Sequence, residues 1–269
     1  MIDFHTHIGQ LYFDKRHKSP LSVHMLIDHM DQNGIDISAV LPLESPEASD
    51  ASLTTFEVIE ACKQYPGKLI PFCCIDPRRK RPDRIIKAYA SLGCRGFGEH
   101  KPGLWIDDKR SVLIYKACGV MGWPVVMHLD AKINKDEDGL PRLERILQGI
   151  PQTIFVMHGP RWWSEISRAG HDERYPTGKV EAGGRCEALL QEYGNLYADL
   201  SAGSAYKALM RDPDYTTGFL SRNYEKLLFG TDYLDAGKEL PIIDFIRNVE
   251  INESKRYGIT QGNARRLLL

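Results

Sequence analysis

Residues 124–158 read PVVMHLDAKINKDEDGLPRLERILQGIPQTIFVMH. Two apolar runs, PVVMHL (124–129) and TIFVMH (153–158), frame a stretch in which Leu140, Leu143, Ile146, Leu147 and Ile150 recur at helical spacing. The runs show little polar alternation, which predicts strands covered on both faces in a parallel sheet. A helix between two such strands is the crossover that a parallel pair needs.

The same unit repeats along the chain. Further candidate strands are IDFHTH (2–7), ISAVLPL (37–43), KLIPFCCI (68–75), CRGFGEH (94–100), NLYADLS (195–201) and KLLFGTD (226–232). Val23, Leu26, Ile27 and Met30 mark one more helical stripe, and similar stretches lie near 53–65, 82–92, 110–121, 183–193, 203–222 and 240–249. Gly34, Gly93 and Gly194 stand where C-terminal helix caps are expected, each just before a strand. Eight strands, each followed by a helix, is the count of a (β/α)8 TIM barrel. No G-x-G-x-x-G follows a strand and no G-x-x-x-x-G-K-[ST] occurs, so neither dinucleotide nor P-loop chemistry is indicated. With no repeat or low-complexity tract, residues 1–269 are expected to form one α/β domain. The interval 159–180 is long for a connection and carries Trp162, Trp163 and Tyr175, which suggests a lid or substrate-binding loop.

Of the 269 residues, 42% are hydrophobic, enough for a sizeable core. The 35 basic and 36 acidic residues nearly cancel, which argues against a nucleic-acid partner. The one dense basic run, DPRRKRPDR (76–84), is flanked by Asp76 and Asp83 and reads as a solvated loop and helix start. Six cysteines without a C-x-x-C pair read as small buried hydrophobes, in keeping with a reducing cytoplasm. A strand starting at Ile2 leaves no room for a leader peptide, and no apolar run approaches membrane-spanning length.

In a barrel of this kind the chemistry sits at the C-terminal strand ends. There the sequence places His5 and His7, Glu99, His128, His158 and Asp232: six ligand-type residues on five strands. Alternation puts His5 and His7 on one face, about 6–7 Å apart. Nitrogen donors mixed with carboxylates suit zinc first, with manganese, iron or nickel as alternatives, and one or two ions. Asp199 either enters the barrel or caps the next helix. Lys101 and Arg161, with Lys132, are candidates to meet a substrate carboxylate, Arg161 also reading as a surface salt bridge and Arg185 as a weaker candidate. Trp105, Trp162 and Trp163 are pocket walls or core. His100, next to Glu99, should face away from the site; His24 and His29 read as helix surface. His17 and His171 lie in loops that could touch substrate.

IDFHTH, WPVVMHLD, TIFVMHGP, NLYADLS, KLLFGTDY and the terminal ITQGNARRLL (259–268) together resemble the amidohydrolase superfamily, in its amidohydrolase-related branch of TIM-barrel hydrolases and decarboxylases. The resemblance implies that His5, His7 and Asp232 bind a first metal. It implies that His128 binds the same ion or a second. His158 would be a ligand, or a proton-transfer and carbonyl-polarising residue. Glu99 stands where many relatives carry a carboxylated lysine and others a bridging glutamate. The implied reaction is hydrolysis of an amide, lactone or ester in a small, carboxylated substrate, with Asp232 taking the proton of the attacking water. Non-oxidative decarboxylation of an aromatic or unsaturated acid is the nearest alternative. GFGEH also has a faint likeness to the strand 4 motif of TatD-type nucleases, and a metal-binding protein without catalysis is a further reading. A homodimer and the absence of membrane association complete the expectations.

Overall fold

Eight short, mostly apolar strands lie side by side, all parallel, in the computed structural model, which describes residues 1–11, 20–45, 47, 51–169 and 174–269. They are β1 (Ile2–Thr6), β2 (Ile37–Val40), β3 (Leu69–Pro71), β4 (Phe97–His100), β5 (Pro124–His128), β6 (Ile154–His158), β7 (Leu196–Asp199) and β8 (Leu227–Leu228). Neighbours in sequence pair in space from β1 to β3 and from β4 to β8. Backbone bonds cross both remaining seams. Cys73 N donates to Gly96 O (3.0 Å) and Gly98 N to Cys73 O (2.9 Å), joining the end of β3 to β4. Phe4 N donates to Phe229 O (2.9 Å) and Asp232 N to His5 O (2.8 Å), joining the end of β8 to β1. The ring of strands is the TIM barrel that the strand count predicts.

The burial explains the apolar runs. Ile2, Phe4, Ala39, Leu41, Ile70, Phe72, Val126, Val156, Tyr197 and Leu228 pack on one another inside the ring. Val125, Met127, Phe155, Met157, Leu196, Phe229 and their neighbours pack outward against the helices. Strands covered on both faces have no need of polar alternation.

Two strands break strict alternation. Between Asp3 and Thr6, β1 carries one residue more than β2, and between Phe97 and His100, β4 carries one more than β5. Such a bulge turns the following side chains. In β4 it leaves Phe97 and His100 on the same, helix-facing side, with their rings 5.4 Å apart, and frees Glu99 to point inward.

The helices follow the predicted stripes, with instructive differences. The stretch expected at 203–222 is two helices, Ala202–Met210 and Pro213–Asn223. Pro213 cannot continue a helix but starts one well, and Asp212 caps the new start by accepting from Tyr215 N. Gly34 and Gly93 take the left-handed conformation expected of caps, with φ of 57° and 103°. Gly194 does not, because the preceding helix ends in the extended residue Tyr193. In the interval 159–180, Trp162 and Trp163 lie on a short helix (Pro160–Ser164) and are fully buried in the outer core. They are core residues, not pocket walls. His17 and His171 lie outside the described residues. All six cysteines are buried and unpaired. Among the described residues no helix is long and apolar enough to cross a membrane.

Candidate metal centre

The C-terminal ends of β1, β4, β5, β6 and β8 bring all six sequence-selected ligand candidates to one mouth of the barrel. His5 Nε2 and His7 Nε2 stand 3.1 Å apart. Asp232 Oδ1 lies 3.3 Å from His7 Nε2 and 3.8 Å from His5 Nε2. Glu99 Oε2 lies 3.5 Å and 3.7 Å from the same two nitrogens. The other Glu99 oxygen, Oε1, accepts from His128 Nδ1 (2.9 Å) and lies 3.7 Å from His158 Nε2. Two groups of donors therefore share one glutamate: His5, His7 and Asp232 on one side, His128 and His158 on the other.

Local features hold these groups in place. Gly98 precedes Glu99 with φ of 143°, and a Cβ there would come within 2.8 Å of Val126 Cβ and O, so only glycine lets β4 pass this close to β5. Asp232 adopts φ of 51°, a left-handed conformation that aspartate tolerates better than most residues. His7 Nδ1 donates to Leu41 O (2.7 Å). A carbonyl can only accept, so the His7 proton sits on Nδ1 and a lone pair on Nε2 faces His5.

That arrangement tests the site for a cation. A lone pair directed at a second imidazole nitrogen, with two carboxylates around both and almost no solvent, is repulsive unless positive charge sits among them. A divalent ion or a proton would supply it. Burial works against charge on His5, but Asp199 and Glu99 outweigh it and raise its pKa to about 10. Burial likewise opposes the Glu99 charge, yet Lys101 and the surrounding imidazoles hold the carboxyl well below its ordinary range. Lys238, then His7 and His5, do the same for Asp232 against its burial. Ionised carboxylates and a site that attracts positive charge are what a divalent cation requires.

The remaining candidates divide. Lys101 Nζ lies 2.6 Å from Glu99 Oε2, so its ammonium is turned onto the centre. Arg161 is engaged by Glu165 (2.9 Å) and Asp138, the salt-bridge alternative. Arg185 pairs with Glu144 at 2.6 Å. Trp105 is 40% exposed, with Arg142 over its ring at 4.2 Å and Lys135 at 5.2 Å. His100 is buried between β4 and the helix Lys109–Val120, its Nε2 3.2 Å from Ser111 Oγ. His29 stacks on Tyr233, ring centroids 4.1 Å apart.

Three residues near the centre escaped the sequence reading. Lys238 Nζ reaches Asp232 Oδ2 (3.2 Å) and the Asp232 carbonyl; six residues beyond Asp232, nothing local marks it. Asp130 Oδ2 lies 3.6 Å from His128 Nε2, and its place two residues after His128 was the available signal. Ser201 Oγ lies 2.9 Å from His158 Nδ1. Asp199, left open between two roles, is fully buried and accepts from His5 Nδ1 at 2.6 Å.

Comparison with known proteins matches residues 2–269 to the amidohydrolase family. No curated protein matches the sequence. Among solved structures, an uncharacterised TIM-barrel protein from Bordetella bronchiseptica superposes with a TM-score of 0.73 at 18% identity, covering 99% of this chain and 97% of that one. A probable 2-pyrone-4,6-dicarboxylic acid hydrolase from Acinetobacter baumannii, solved with citric acid, gives 0.64 at 13% identity over 99% and 98%. A 5-carboxyvanillate decarboxylase from Novosphingobium aromaticivorans, solved with manganese and a nitrobenzoic acid, gives 0.66 at 16% over 99% and 95%. At these identities the structures speak for the fold, while the family match runs from Ile2 to the last residue: the chain belongs to the amidohydrolase family.

Proposed function

We propose that this protein is a metal-dependent hydrolase that cleaves a lactone, ester or amide in a small carboxylated molecule. The observation that carries the reading is the convergence of His5 Nε2, His7 Nε2 and Asp232 Oδ1 within 3.8 Å at the barrel mouth, with Glu99 closing the set. His5, His7, Asp232 and Glu99 would hold the ion, zinc or manganese, and Glu99, His128 and His158 offer a place for a second. When bound, the ion supplies a water whose pKa falls from 15.7 towards about 7.

The chain's own residues do the rest. Asp232 Oδ1 faces the imidazole pair and would hold the ion, while Lys238 steadies Oδ2, so the carboxyl is positioned to take the proton of the attacking water. The same carboxyl then returns that proton to the leaving oxygen or nitrogen. Lys101, at the edge of the centre with 18% of its side chain exposed, offers positive charge to a substrate carboxylate or to the oxyanion forming at the attacked carbon. The six unpaired cysteines fit a reducing compartment, for which we propose the cytoplasm.

Decarboxylation of an aromatic acid is the second reading, favoured by solved structures of that class among the similar folds. It would use the same ligands and the same Lys101. The nuclease reading has no comparable support, given the balanced charge. Protein loaded with Zn2+ or Mn2+ and offered a panel of lactones, esters, amides and hydroxybenzoates decides. Ring-opened or cleaved acids with no CO2 support hydrolysis; CO2 release replaces it with decarboxylation. Failure to retain either ion, with no turnover on any compound, overturns both.

A further inference from the structure

The family resemblance leaves His158 two roles: a ligand, or a proton-transfer and carbonyl-polarising residue. We infer that Asp199 and Ser201 form a tautomer lock, which fixes both His5 and His158 with the proton on Nδ1 and makes His158 an acceptor at the barrel mouth. The inference rests on reading the mouth as a cation site.

The directions of the hydrogen bonds follow one from another. Asp199 is fully buried, and its Oδ1 accepts from the backbone N–H of Ser201 (2.9 Å), a group that can only donate. Its Oδ2 is met by His5 Nδ1 (2.6 Å) and by Ser201 Oγ (2.9 Å). A carboxylate accepts from both, so His5 carries its proton on Nδ1. Ser201 has one hydroxyl hydrogen, and it goes to Asp199. Towards His158 Nδ1, 2.9 Å away, the serine oxygen is therefore an acceptor. His158 must donate from Nδ1, which leaves a lone pair on Nε2, the nitrogen turned towards Glu99. A neutral imidazole so arranged cannot donate to a substrate carbonyl.

The packing has made room for this network. A Cβ on Gly230 would come within 2.5 Å of Asp199 Oδ1 and 3.2 Å of His5 Cβ. Trp163 Nε1 donates to the Asp199 carbonyl at 3.3 Å, tying the same residue to the outer core. Asp199 and Ser201 are thus positioning residues, acting through two imidazoles whose ring centroids stand 4.6 Å apart. Outer carboxylates that fix a ligand imidazole in this way commonly affect metal affinity 10–100-fold.

The Asp199→Asn substitution inverts the chain. The Ser201 N–H keeps the amide oxygen at the Oδ1 position, so the amide NH2 takes the place of Oδ2. It then donates to His5 Nδ1 and to Ser201 Oγ, and the serine hydrogen swings to His158 Nδ1. Both rings become Nε2–H forms. Long-range 1H–15N spectra of ring-labelled histidines in the metal-free protein read the tautomers directly, and Zn2+ titration reads the affinity. The expected result is Nδ1–H with a bare Nε2 at His158 in the wild type, where metal-free His5 is protonated on both nitrogens, Nε2–H at His158 in D199N, and a Zn2+ Kd about 10–100-fold higher in the variant. Nε2–H at His158 in the wild type overturns the inference, as does a folded D199N that keeps Nδ1–H at His158. If D199N does not fold, the wild-type spectrum alone decides. Should the wild type bind no Zn2+, the cation-site reading falls, while the ring tautomers still confirm or refute the lock.

Discussion

His100 offers a measurement in which burial, against a smaller opposing pull from Asp76, sets the size of the effect. The bulge in β4 turns its ring away from the mouth into the layer beneath the helix Lys109–Val120, beside Phe97 and Tyr115. Burial lowers its pKa to about 3 from an ordinary 6.5. The unfolded chain thus binds a proton below about pH 6.5 that the native protein refuses until about pH 3. Stability from this group is whole above pH 6.5 and is lost as pH falls below it, at a limiting slope of about 1.4 kcal/mol per unit. Between pH 8 and pH 5 the loss integrates to about 2 kcal/mol. The H100Q variant keeps a donor for Ser111 Oγ but cannot titrate. Urea unfolding of both proteins at pH 8 and pH 5 isolates the effect, since the remaining groups contribute to both and cancel in the difference. The wild type should lose about 2 kcal/mol more than H100Q over this interval. Parallel losses, within about 0.5 kcal/mol, would refute the assignment of His100 as a neutral buried ring.

Other consequences can be checked more briefly. Trp163→Ala should lower unfolding free energy by about 3–5 kcal/mol, read by denaturant titration, because the ring is core and not part of a lid. Gly98→Ala should destabilise by about 1–3 kcal/mol from the contact with Val126 alone, and should weaken Mn2+ binding in calorimetry because Glu99 follows directly. Mn2+ at one hundred times its Kd should stabilise the protein by about 2.7 kcal/mol, an increment that a chelator removes; a melting temperature indifferent to both would argue against a cation site.

The barrel was legible because its signal is local and repeated: runs such as VVM and FVM and the Leu140–Ile150 stripe each report their own burial. The six candidate ligands could be picked for a related reason, since each closes or follows a strand and topology alone carries them to one mouth. Contacts between partners distant in sequence were harder to see. Lys238 meets Asp232 through a loop whose path no local pattern specifies, and Ser201 meets His158 across 43 residues. Trp162 and Trp163, open in the sequence between pocket wall and core, are core. A long interval rich in aromatics suggests a surface lid, but the short helix Pro160–Ser164 folds Trp162 and Trp163 inward. The bulges were invisible too: alternation alone separates His100 from its neighbour Glu99, but the extra residue in β4 decides that Glu99 is the one turned inward.

Charge at the mouth also constrains what the protein can accept. Glu99, Asp199 and Asp232 surround the His5–His7 pair, and each is held ionised against its burial. Two ammonium groups answer them, Lys101 on Glu99 and Lys238 on Asp232. One negative charge is left over, and this is why His5 attracts a proton so strongly when no ion competes. A divalent cation in its place would displace that proton and leave the set with one net positive charge. In a pocket of low dielectric such an excess favours an anion, whether hydroxide or a substrate carboxylate, over a neutral ligand. A second dication between His128 and His158 would meet a further ionised carboxylate, Asp130, whose Oδ2 lies 3.6 Å from His128 Nε2. On the proposed function, the His5–His7–Asp232 group, with Glu99 beside it, is therefore expected to fill first, and stepwise Mn2+ titration by calorimetry should show one tight binding step before any second.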